Sequence, residues 1–92
     1  MVFETTTALA PEDVIVRARR FFGDRVPATG AFVERESARH VVMRGQGGEE
    51  VVIAATAAAG GALVRGSSLL FGQQVKRFLS TLPPAGSPAS AA

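Results

Sequence analysis

His40-Val41-Val42-Met43-Arg44, then Gly45-Gln46-Gly47-Gly48, then Glu49-Glu50-Val51-Val52-Ile53 is the stretch that decides the fold. Two apolar triplets rich in β-branched residues flank a four-residue segment dominated by glycine. Glycine supplies the positive φ that tight turns require, so the stretch predicts two antiparallel strands joined by a hairpin turn. Further β segments lie on either side. Strands are expected at about Gly30 to Glu36, Arg39 to Arg44, Glu49 to Ala57 and Ala62 to Ser68, with two-residue turns at Ser37-Ala38 and Gly60-Gly61. Connections this short make the four strands a meander.

Outside this block the period changes. Val2 to Leu9 is rich in β-branched Thr and places Phe3, Thr5, Thr7 and Leu9 on one face of a strand. Ala10-Pro11-Glu12-Asp13 then opens a helix, with Pro suited to the first helical position and two carboxylates complementing the helix dipole. Val14, Ile15, Ala18, Phe21 and Phe22 form one apolar stripe, and Gly23 supplies the stop. A second helix is expected over Leu70 to Leu82, where Phe71, Val75, Phe78, Leu79 and Leu82 recur on one side. Pro83-Pro84 ends it. The expected fold class is α+β: an antiparallel sheet of about five strands with two helices packed on one face, in the order β-α-β-β-β-β-α. Residues 1–83 form the single domain. Residues 84–92, composed of Pro, Ala, Gly and Ser, are expected to be a disordered tail.

This order resembles the fold of a TATA-binding-protein repeat and, in shortened form, a helix-grip domain of the START or polyketide-cyclase type. The resemblance spans residues 2 to 82 and lies in element order alone. Neither family's motifs occur, so it implies no functional residue.

Composition narrows the function classes. The sequence pI of about 10.5 suggests an affinity for polyanions, but the formal net charge is only +2, from 10 basic and 8 acidic residues. With nine of the ten cations Arg and no Tyr or Cys, pI rises without a strong field near neutrality. The absence of Cys removes disulfides and thiolate metal sites and suits a reducing compartment. The N-terminus lacks the pattern of a signal peptide, and no window approaches 18 uncharged apolar residues. These features together lead us to expect a cytoplasmic location.

Catalytic, cofactor-binding and metal-binding residues are all expected to be absent. Gly45-Gln46-Gly47-Gly48 lacks the Lys-Ser/Thr of a phosphate loop and runs into Glu49-Glu50, which would repel phosphate. His40 is the single histidine, without a nucleophile or enough partners for a metal site. Glu49 and Glu50 point to opposite faces of a strand, Glu12 and Asp13 serve a helix dipole, and Ser67-Ser68 lacks a nucleophile elbow. Arg17, Arg19 and Arg20 form the densest basic group, close to Asp13 and Asp24, and no stacking platform accompanies them beyond Phe32.

The consecutive apolar residues of Val41-Val42-Met43 and Val51-Val52-Ile53 imply a sheet apolar on both faces. With the turns placed as above, Val33, Val42, Val51, Ile53, Ala55 and Val64 share the helix-covered face. Phe32, Val41, Met43, Val52 and Leu63 share the other, within a rim of Glu34, Glu36, Arg39, Glu50 and Arg65. Apolar groups inside a charged rim compose a typical interface, so the candidate interface residues are Phe32, Val41, Met43, Val52, Leu63 and Arg65. The expected function is a non-catalytic interaction domain, self-associating or an accessory subunit. The alternative is a helix-grip carrier whose small residues at Ala54 to Ala62 make room for an apolar ligand. Nucleic-acid binding ranks lower.

Overall fold

Five strands form one antiparallel sheet in a computed structural model that describes residues 2–25, 32–45, 49–69 and 71–85. Asp24, Arg25, Phe32 and Glu34 enter the description through their backbones alone. The elements run β1 (Val2–Thr7), α1 (Pro11–Arg20), β2 (Phe32–Ser37), β3 (His40–Arg44), β4 (Glu50–Ala58), β5 (Gly61–Ser68) and α2 (Gly72–Ser80). Strand order across the sheet is β1-β5-β4-β3-β2. The last four strands are a meander, and β1 joins the far edge by pairing with β5. The α+β architecture matches the sequence expectation in class and order. The connector around Pro27 and the glycines of the β3–β4 turn fall outside the described residues.

Both helices lie on one face. The α1 helix packs across β3, β4 and β5, while α2 packs over β5 and β1. The predicted stripe of α1 is buried throughout, from Val14 and Ile15 to Ala18, Phe21 and Phe22. A five-residue π-helical turn at Phe21–Arg25 continues α1, and both phenylalanines stay inward. There Phe21, Phe22 and Phe78 of α2 form an aromatic cluster with centroids 5.1 to 5.8 Å apart. At the start of α2, the Phe71 amide donates to Ser68 Oγ at 3.1 Å, so Ser68 ties strand to helix.

Small residues set the distance between helix and sheet. A Cβ on Gly66 of β5 would lie 2.6 Å from Val75 Cγ1 and 3.1 Å from Ile53 Cδ1, so α2 sits directly on the glycine backbone. Gly60 turns the β4–β5 hairpin with φ +75°, and a Cβ on Gly61 would collide with the Thr7 carbonyl. The end of α2 is fastened to β1. Thr7 Oγ1 donates to the Pro83 carbonyl at 2.6 Å, and the Ala8 amide donates to the same oxygen at 3.1 Å. Pro84 forms an isolated antiparallel bridge with Thr7, so the ordered domain includes this first residue of the expected tail. Residues 86–92 lie outside the described residues.

Two local features change the faces assigned from sequence. The β3–β4 loop holds five residues, 45–49, closed by the Gly45 amide donating to the Glu49 carbonyl at 2.7 Å. A four-residue turn would pair Arg44 with Glu49, whereas Arg44 pairs with Glu50. Because side chains alternate along a strand, this shift of one turns β3 over relative to β4. Val41 and Met43 therefore stand opposite Ile53 and Val51 in the core, 0% and 1% exposed, rather than on the outer face. Val42, expected in the core, lies opposite Val52 on the outer face. The β2–β3 register also shifts between Val33 and Arg35, which brings Val33 opposite Met43 and Phe32 opposite Arg44.

Candidate interaction surface on the open sheet face

The face turned away from the helices is laid out by the ladder register. One row runs Arg35, Val42, Val52, Ser67, Val2 from β2 to β1. The next runs Ser37, His40, Ala54, Arg65, Glu4, and a third runs Thr56, Leu63, Thr6. Arg44 and Glu50 close the surface at the β3–β4 loop. No described helix covers these rows. An antiparallel sheet with one solvated face ordinarily alternates polar residues there, yet the middle of this one holds Val42, Val52, Ala54 and Leu63.

Exposure differs across the patch. Val2 is 60% and Leu63 39% exposed, Val52 is half-buried, and Val42 is buried. Leu69, immediately past β5, is 89% exposed. Of the six candidate residues, Val52, Leu63 and Arg65 belong to this face. Phe32 takes a register position beside it, opposite Arg44, and Val41 and Met43 belong to the core. Sequence reasoning missed Val2, because its place depends on the β1–β5 pairing, a contact between chain ends that leaves no local signal. Leu69 reads in sequence as the approach to α2.

Of the three arginines on this face, Arg65 and Arg44 are matched within the chain, and Arg35 lies exposed at the β2 edge. Arg65 Nε meets Glu4 Oε2 at 3.2 Å, and an Arg44 terminal nitrogen meets Glu50 Oε2 at 3.3 Å. Both pairs are solvent-exposed and add little to stability. They do leave the centre of the face without net charge. The arginine group of α1 is likewise engaged at Arg19, 3.0 Å from Glu36, while Arg39 lies 3.9 Å from Glu12. His40 sits half-buried beside Ala54 on the open face. Among the described residues no group of three or more His, Asp or Glu side chains could hold a metal ion. No described helix is long and apolar enough to cross a membrane. No family model matches the chain, and no curated protein or solved structure is detectably similar to it.

Proposed function

We propose that this chain is a non-catalytic interaction domain that binds another protein surface through the open face of its sheet. The observation that carries the reading is the apolar run of Val52, Ala54 and Leu63 across β4 and β5, with the exposed Val2 beyond Ser67 on β1 and two ion pairs beside it. Scattered apolar residues on a surface are ordinary, but a contiguous group crossing neighbouring strands on one face is an interface composition. The two other readings gain less support. In a carrier the small residues of β4 and β5 would leave space beneath the helices, whereas at Gly66 they bring α2 onto the sheet. A nucleic-acid surface needs a group of unmatched cations, and on this face Arg44 and Arg65 each have a carboxylate, which leaves Arg35 at the β2 edge.

The test is the mass of the native assembly recovered with the tagged full-length chain from its own cells. Leu63→Lys should release the chain from its assembly, while Val16→Lys, placed on the exposed side of α1, should leave the assembly intact. Equal behaviour of the two variants, or recovery of the wild type as the lone 9.5 kDa chain, would refute the reading.

A further inference from the structure

We draw no further inference here: the strongest candidate, the open sheet face around Val52, Ala54 and Leu63, belongs to the surface already described, and nothing in the structure shows what covers it.

Discussion

Gly66 shows how one residue sets the spacing of the two layers. Its hydrogen is replaced by nothing larger because Val75 Cγ1 and Ile53 Cδ1 already occupy the space a methyl group would need. Val75 and Ile53 are fully buried and β-branched, so neither can rotate freely out of the way. Gly66→Ala should therefore destabilise the fold by about 1–3 kcal/mol through overpacking. Val75→Ala in the same chain should recover part of that loss, although alone it opens a cavity. Denaturant midpoints for the two single variants and the double variant measure the coupling. Strict additivity would show that the helix does not rest on this glycine. Thr7 belongs to the same scale: fully buried, its hydroxyl donates to Pro83 and accepts from the Leu9 amide, so neither donor nor acceptor is stranded.

Elements differ in how legibly the sequence encodes them. Both helices could be read from their apolar stripes, because each faces the core on one side only, and Phe22, Phe78 and Val75 are buried as the period requires. Turn positions were legible to within a residue, from Gly60-Gly61 and Ser37-Ala38. The faces of β3 were not, because Val41-Val42-Met43 offers an apolar residue to each side and periodicity cannot choose between them. The choice falls to the length of the β3–β4 loop, where Glu49 belongs to the turn instead of the strand. The irregularity in β2 could not be read either, since Val33-Glu34-Arg35-Glu36 alternates as a regular strand would. A paired substitution checks the corrected faces. Met43→Lys would bury an unpaired charge at a site 1% exposed and should abolish cooperative folding. Leu63→Lys, on the open face, should move the thermal midpoint of the isolated domain by only a few degrees. The reverse outcome would restore the faces read from the four-residue turn.

The whole molecule is a sheet with unequal faces and unequal edges. Helices cover one face; the other keeps an apolar centre. At one edge, β2 is broken by its register shift, and at the other, Pro83 and Pro84 lie against the end of β1. Bulges and prolines at edges discourage pairing with other strands, which directs association to the open face instead. The central claim is that this face carries a protein partner, and the mass of the native assembly recovered with the tagged chain tests it most directly. The wild type should be recovered in an assembly heavier than the 9.5 kDa chain, while Leu63→Lys should be recovered at the single-chain mass with its circular dichroism unchanged. A wild type recovered as the lone chain, indistinguishable from Leu63→Lys, would contradict it.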